Sequence, residues 1–139
     1  MSLQTLFELT NLERTSRGIE PLQYSLRLRD SAKSHNDWMA STGQLSHTGS
    51  GGSDIGDRVA STGFEYSTAG ENIAAGQYTA REVLTGWMNS SGHRANILNP
   101  NFTHIGLGYS TSNGYYTRYW TQNFGTPASW TGFTPTIIS

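Results

Sequence analysis

Three side chains that can bind a metal or move a proton stand out, namely His47, Glu71 and His93. The chain has no cysteine, so any transition-metal site must use histidines and carboxylates. Two imidazoles and a carboxylate on separate elements resemble a catalytic zinc site with an open fourth position. The same residues could instead form a hydrogen-bonded cluster that orders loops without metal. No H-E-x-x-H motif is present, and both interpretations stay open on spacing alone.

The other candidate residues favour structural roles. Glu71 and Asn72 lie in the glycine-flanked segment GENI, where a turn would let the carboxylate accept backbone N–H groups. His35 shares a helical stripe with apolar residues, which predicts a buried structural histidine. His104 alternates with Ile105 and Leu107, so we expect it to face away from them, in a structural or exposed role.

Other enzyme chemistries find little support in the sequence. Ser90 and Ser91 lie close to His93, but the G-x-S-x-G turn of serine hydrolases is absent. The segment GSGGSDIG is rich in glycine, yet it lacks the lysine and the preceding strand of a phosphate-binding loop. Glycoside hydrolysis needs two carboxylates in one cleft, and only Glu71 is a good candidate.

Composition indicates one domain, spanning residues 1–139. This length, with 35% hydrophobic residues, is enough for one hydrophobic core. The net charge is −1 and no Lys/Arg cluster appears, which argues against nucleic acid as a partner. No segment approaches the roughly 20 apolar residues of a membrane span. No signal peptide is visible either, and we expect that a leader has been removed.

The pattern of elements predicts an α+β fold. Helices are expected over residues 3–17, 25–41 and 79–89, the last with Thr79 as N-cap and Glu82 in a capping box. Residues 46–76 hold six glycines between Gly49 and Gly70 and are predicted to form a long loop. Strands over 103–109 and 115–125 are joined by a turn at Asn113-Gly114. Residues 127–139 are predicted to be an irregular C-terminal tail.

Three longer stretches carry a family resemblance. They are LSHTGSGGSDIGDRVASTGFEYSTAGENIAAG, VLTGWMNSSGHRANILNPNFTHIGLGY and YWTQNFG. Together they resemble the CAP superfamily of cysteine-rich secretory proteins, venom antigens and plant pathogenesis-related proteins. The similarity is greatest to its cysteine-free bacterial branch, the SCP-like extracellular proteins, and covers residues 6–125.

The resemblance implies an α-β-α sandwich, with a small antiparallel sheet between helical layers. It also implies a central cleft lined by two histidines and acidic residues, and it assigns His47, Glu71 and His93 to that cleft. Family members that have all four of the cleft residues carry a second glutamate shortly after the tryptophan matching Trp87. Other residue types occupy that region here: Asn89, Ser90 and Ser91. The remaining His–Glu–His set suits metal coordination better than acid–base pairing.

The function expected from this resemblance is a secreted or cell-envelope binding protein, and a monomer. Its cleft would bind a divalent metal such as zinc through His47 and His93, with Glu71 as a third candidate ligand. The same residues could bind a small-molecule, lipid or cell-envelope ligand. One alternative is a metal-dependent hydrolase, protease-like or cell-wall-directed, in which the three residues would be catalytic. Another is a lipid or sterol carrier. The resemblance implies no established enzyme class.

Overall fold

Five α-helices and four β-strands make up the computed structural model, which describes residues 2–114 and 116–130. A short 3₁₀ turn at Ser50–Gly52 precedes the third helix. In chain order the elements are α1 (Ser2–Thr15), β1 (Gln23–Tyr24), α2 (Leu26–Thr42), α3 (Ile55–Ser61), β2 (Tyr66–Ala75), α4 (Ala80–Met88), α5 (Ser91–Ile97), β3 (His104–Thr111) and β4 (Arg118–Pro127).

The strands form one mixed sheet in the order β1-β3-β4-β2. β4 pairs antiparallel with both β2 and β3, as the sequence predicts for a small antiparallel sheet. The edge strand β1 departs from that prediction because it pairs parallel with β3, placing Gln23 opposite His104. A strand of two residues is too short to leave a periodic pattern in the sequence.

Helices cover both faces of the sheet, which confirms the α-β-α sandwich. α2 and α3 pack on one face, and α1, α4 and α5 pack on the other. The larger apolar core lies under α1, α4 and α5, and two smaller clusters lie under α2 and α3. The larger core includes Leu6, Val83, Trp87, Ile97, Ile105, Leu107, Trp120 and Phe124.

The three predicted helices are confirmed, and local capping explains their limits. The Ser25 hydroxyl accepts the N–H of Leu28 at the start of α2, and Gly43, in the left-handed conformation with φ 72°, ends that helix. The Thr79 hydroxyl accepts the N–H of Glu82 at the start of α4. These are short-range signals, so they can be read directly from sequence.

The predicted long loop over residues 46–76 is wrong, since this stretch holds the 3₁₀ turn, α3 and β2. α3 begins at a reciprocal Asp54–Asp57 capping box, but its seven residues are too few for a clear helical period. Burial on both faces of β2 removes the alternation by which strands are recognised. The GENI segment is therefore a strand rather than a turn, with Glu71 opposite Asn123 and Asn72 opposite Gln122.

Two glycines of β3 allow the backbone of α2 to lie directly on the sheet. A Cβ atom at Gly106 would stand 2.0 Å from the backbone nitrogen of Arg29, and one at Gly108 would stand 2.8 Å from the carbonyl oxygen of Ala32. Both positions lie on the face of β3 that packs against α2. Close helix–sheet contact at this point therefore requires residues without a side chain.

A buried arginine anchors α5 to α1. Arg14 is fully buried and donates hydrogen bonds to four backbone carbonyls, those of Glu20, Ile97, Asn99 and Phe102. Burial lowers the pKa of Arg14 to about 10, so the guanidinium stays charged at neutral pH. It holds the C-terminal end of α5, and this helix carries His93.

The hairpin and the C-terminal segment follow the prediction only in part. Asn113 and Gly114 lie in the connection between β3 and β4, which runs over residues 112–117. Of the predicted irregular tail, Pro127 still belongs to β4 and residues 128–129 form a turn. Tyr115 and residues 131–139 lie outside the described residues. Within the described part of the chain, no helix combines the length and apolar character needed to cross a membrane.

Candidate functional site

Glu71 is the centre of a buried polar cluster on the α2/α3 face of the sheet. Its Oε1 accepts hydrogen bonds from His47 Nδ1 at 2.9 Å and from Arg58 at 2.9 Å. Its Oε2 accepts from Arg58 at 2.8 Å and from Asn123 Nδ2 at 2.9 Å. Both Arg58 contacts come from Nη2, so three donor groups engage the two oxygens of the carboxylate.

Arg58 neutralises the charge of Glu71 inside the protein. It comes from α3, its side chain is 7% exposed, and it also donates to the carbonyl oxygens of His47 at 3.1 Å and Ser53 at 2.8 Å. Sequence reasoning missed Arg58 because it lay within the supposed loop. The spacing of Asp54 and Asp57 just before it is the capping signal that could have revealed the helix.

The environment of Glu71 keeps its carboxyl group ionised. Burial favours the neutral acid, but the hydrogen bond from His47, the charge of Arg58 and the hydrogen bond from Asn123 together outweigh it. The pKa of Glu71 therefore lies below its ordinary value. The cluster holds a carboxylate rather than a carboxylic acid at neutral pH.

His47 presents one ring nitrogen to solvent. Its side chain is 60% exposed, in contrast to the buried Glu71. An ionised carboxylate can only accept, so His47 Nδ1 carries the hydrogen of the 2.9 Å bond. In the neutral ring, Nε2 then holds the free lone pair. A carboxylate behind a histidine is the usual support of a metal-binding imidazole.

His93 reaches the same region from the other layer of the sandwich. It lies in the first turn of α5, half-buried, with Nδ1 2.8 Å from the Ser90 hydroxyl. Burial lowers the pKa of His93, and the charge of His47 lowers it further.

Adjacent residues of β2 hold the two histidines from opposite faces of the strand. Glu71 binds the ring of His47, whereas Asn72 Nδ2 donates to the backbone carbonyl of His93 at 3.1 Å and to Gln122 Oε1 at 3.1 Å. Asn96 of α5 in turn donates to Asn72 Oδ1 at 2.9 Å. The structure thus bonds the side chains of His47 and Glu71 to each other, and it ties the backbone of His93 to Asn72, which the sequence had suggested for a turn.

The other two histidines differ in their relation to the site. His35 is buried as predicted, and its Nε2 donates to the carbonyl oxygen of Ser46 at 2.6 Å while lying 4.0 Å from Glu71 Oε1. Its Nδ1 has no hydrogen-bond partner among the described residues. His104 lies outside the cluster, beside Thr103 and the Phe64 ring, as expected for a structural residue.

We expect the free energy of unfolding to fall in two stages as the pH is lowered. Burial holds the pKa of His35 below 6.5, so the unfolded chain takes up a proton first and stability declines once the pH falls below about 6.5. The pKa of Glu71 is also lowered in the folded state, so a second loss follows below about pH 4.3, where the unfolded carboxyl protonates. Urea unfolding measured across this range tests both stages.

His35→Gln serves as the control for the upper stage, because its amide can still donate to Ser46. We expect a smaller loss of stability between pH 7 and 5 in this variant than in the wild type. Burial also lowers the pKa of His93 and His104, so part of the decline in the free energy of unfolding with falling pH persists in this variant. If the free energy of unfolding of His35→Gln falls with pH as steeply as that of the wild type, the upper stage does not arise from His35.

The described side chains do not form a three-ligand metal site. Within residues 2–114 and 116–130, no three His, Cys, Asp or Glu side chains converge closely enough to hold a metal ion. Both oxygens of Glu71 accept hydrogen bonds, whereas Nε2 of His47 has no hydrogen-bond partner among the described residues. A divalent ion held by His47 and His93 would keep further positions for water or a ligand.

An apolar recess lies at the opposite edge of the sheet from this cluster. It measures about 420 Å³ and is lined by Leu3, Gln4, Phe7, Tyr24 and Arg29. These residues belong to α1, β1 and the start of α2, whereas Glu71 lies on the other edge strand. The lipid-carrier alternative therefore concerns a different surface from the metal hypothesis.

The sequence and the fold are similar to those of known bacterial proteins. Residues 7–124 match the cysteine-rich secretory protein family, CAP. The Bacillus subtilis protein YkwD, described as uncharacterized, is 48% identical over 117 residues, which is 84% of this chain and 44% of YkwD. A Bacillus anthracis extracellular protein containing an SCP domain is 35% identical with a TM-score of 0.79, over 88% of this chain and 39% of that protein.

A more distant structure shares the fold over its whole length. An outer surface protein from Borrelia burgdorferi superimposes with a TM-score of 0.84 at 18% identity, over 91% of this chain and 92% of that chain. By contrast, this chain spans less than half the length of YkwD and of the Bacillus anthracis protein.

Proposed function

Since this chain belongs to the cysteine-rich secretory protein (CAP) family, in its bacterial SCP-like form, we propose that it is an extracellular binding domain. Its ligand site would be the His47/His93 cleft, and a divalent cation, zinc above all, is the ligand that this chemistry favours. The observation that carries the proposal is the bond from His47 Nδ1 to Glu71, which leaves Nε2 of this 60% exposed side chain without a hydrogen-bond partner among the described residues.

Glu71 is proposed to orient His47 rather than to bind the metal itself. Both of its oxygens already accept hydrogen bonds, from His47, Asn123 and one nitrogen of Arg58. A metal at this carboxylate would compete with these donors. His47 and His93 are therefore the proposed ligands, with Glu71 behind His47 as the group that fixes the orientation of its ring.

The same contacts weigh against the hydrolase alternative. A general base needs a free lone pair within reach of the proton it takes. Both oxygens of Glu71 already accept from Arg58, Asn123 and His47, and these bonds stabilise the ionised form against taking up a proton. Binding therefore agrees better with the geometry than catalysis by Glu71 does.

The proposed location outside the cytoplasm rests on the related structures. The Bacillus anthracis protein is described as extracellular and the Borrelia burgdorferi protein as an outer surface protein. The first of these is 35% identical to this chain, close enough for a comparable location to be proposed.

Zinc titration by calorimetry tests the binding proposal. We expect the wild type to bind zinc, His47→Ala and His93→Ala to bind it at least about tenfold more weakly, and the double variant to bind none. Affinity should fall as the pH drops through about 6.5, because an imidazole must be neutral to coordinate. His104→Gln, which alters a histidine outside the cluster, should bind as the wild type does. Equal binding by all variants, or no binding by any, refutes the metal site.

A further inference from the structure

The hydroxyl of Ser90 contacts a histidine side chain instead of capping the helix that follows it. Ser90 is the N-cap of α5 and has the extended backbone of such a residue, with φ −115° and ψ 120°. A capping serine normally accepts a backbone N–H from the first turn, a bond worth about 1 kcal/mol. Here no side-chain capping bond forms, and Ser90 Oγ lies 2.8 Å from His93 Nδ1 instead. The hydroxyl is directed to a side chain of the proposed site.

The backbone of His93 is held independently of this contact. Asn72 Nδ2 donates to the His93 carbonyl oxygen at 3.1 Å, and Asn96 of the same helix donates to Asn72 Oδ1 at 2.9 Å and to the carbonyl oxygen of Glu71 at 3.2 Å. These bonds join α5 to β2. With the main chain fixed in this way, the ring torsions and the tautomer of His93 remain to be set. Ser90 is the residue that contacts Nδ1.

We propose that Ser90 is a positioning residue, whose hydroxyl oxygen accepts the Nδ1–H of His93 and leaves the Nε2 lone pair facing the cleft. The inference rests on the proposed ligand role of His93. Ser90 would then do for His93 what Glu71 does for His47, since both rings would carry hydrogen on Nδ1 and present Nε2.

The tautomer of His93 can be read without any metal. Histidine-labelled protein is examined by ¹⁵N NMR at about pH 8.5, about two units above the ordinary histidine pKa of about 6.5. We expect the wild-type His93 signals to show a protonated Nδ1 and an unprotonated Nε2. Ser90→Ala should shift the population toward the Nε2–H form that free imidazole prefers, whereas Ser90→Thr, which keeps the hydroxyl, should retain the wild-type form. Amide spectra verify folding, and Ser90→Ala removes no capping bond.

Zinc affinity provides the second measurement. Loss of a residue behind a ligand typically weakens metal binding 10- to 100-fold, which is the loss expected for Ser90→Ala, with recovery in Ser90→Thr. If the wild type binds no zinc while the tautomer still responds to Ser90→Ala, the metal proposal fails and the positioning role stands. A wild-type His93 protonated on Nε2, or a tautomer unchanged in Ser90→Ala, overturns the proposal about Ser90.

Discussion

Gly106→Ala is expected to destabilise the protein by at least about 3 kcal/mol, or to prevent folding. The new Cβ would stand 2.0 Å from the backbone nitrogen of Arg29 and 2.1 Å from the carbonyl carbon of Leu28. Both atoms belong to the backbone of α2, so no side chain can turn aside to relieve the contact. α2 would have to move off the sheet. Urea unfolding, or soluble yield and circular dichroism if the variant does not fold, measures the effect.

Gly86→Ala is the matched control, and it should act in the opposite direction. Gly86 lies in the interior of α4, where an added Cβ meets no atom within 4 Å. Alanine is favoured over glycine in helices by about 1 kcal/mol, so this variant should be slightly more stable than the wild type. A Gly106→Ala protein within about 1 kcal/mol of the wild type would contradict the close packing of α2 on β3.

Glu71→Gln is expected to cost about 3–5 kcal/mol of stability, although it hardly changes the volume of the side chain. The substitution leaves the Arg58 charge buried without its partner, and it replaces one accepting oxygen by an amide that points hydrogens at neighbouring donors. The ring of His47 also loses its anionic partner. Urea unfolding at pH 7 measures the loss, and we expect zinc affinity to fall in the same variant.

An exposed pair provides the control for charge removal. Glu13→Gln breaks the Arg17–Glu13 ion pair of α1, whose side chains are 38% and 33% exposed, and should change stability by less than about 1 kcal/mol. The double variant Arg58→Met/Glu71→Gln should be more stable than Glu71→Gln alone, because the unpaired Arg58 charge is then absent. A Glu71→Gln protein as stable as Glu13→Gln would show that the buried Arg58–Glu71 pair contributes little to the free energy of unfolding.

Residues near the site show how far sequence reasoning reaches. His47, Glu71 and His93 could be selected because only a few residue types bind metals and because their segments match a family pattern. Arg58 could not, because its helix has only seven residues and lies in a glycine-rich stretch. Asn72 could be singled out, but its contact with His93 depends on the packing of α5 beside β2.

The sequence alone determined what depends on nearby residues. It specified α1, α2 and α4, the strands of the β3–β4 hairpin and the α+β class, because helical periodicity and capping side chains act over a few positions. The tertiary structure decided everything that depends on distant pairing. The pairing of β2 with β4 places Asn123 beside Glu71, and the packing of α3 brings Arg58 to the same carboxylate. A strand buried on both faces shows no alternation, so neither its pairing nor the hydrogen-bond partners of Glu71 can be read from residue order.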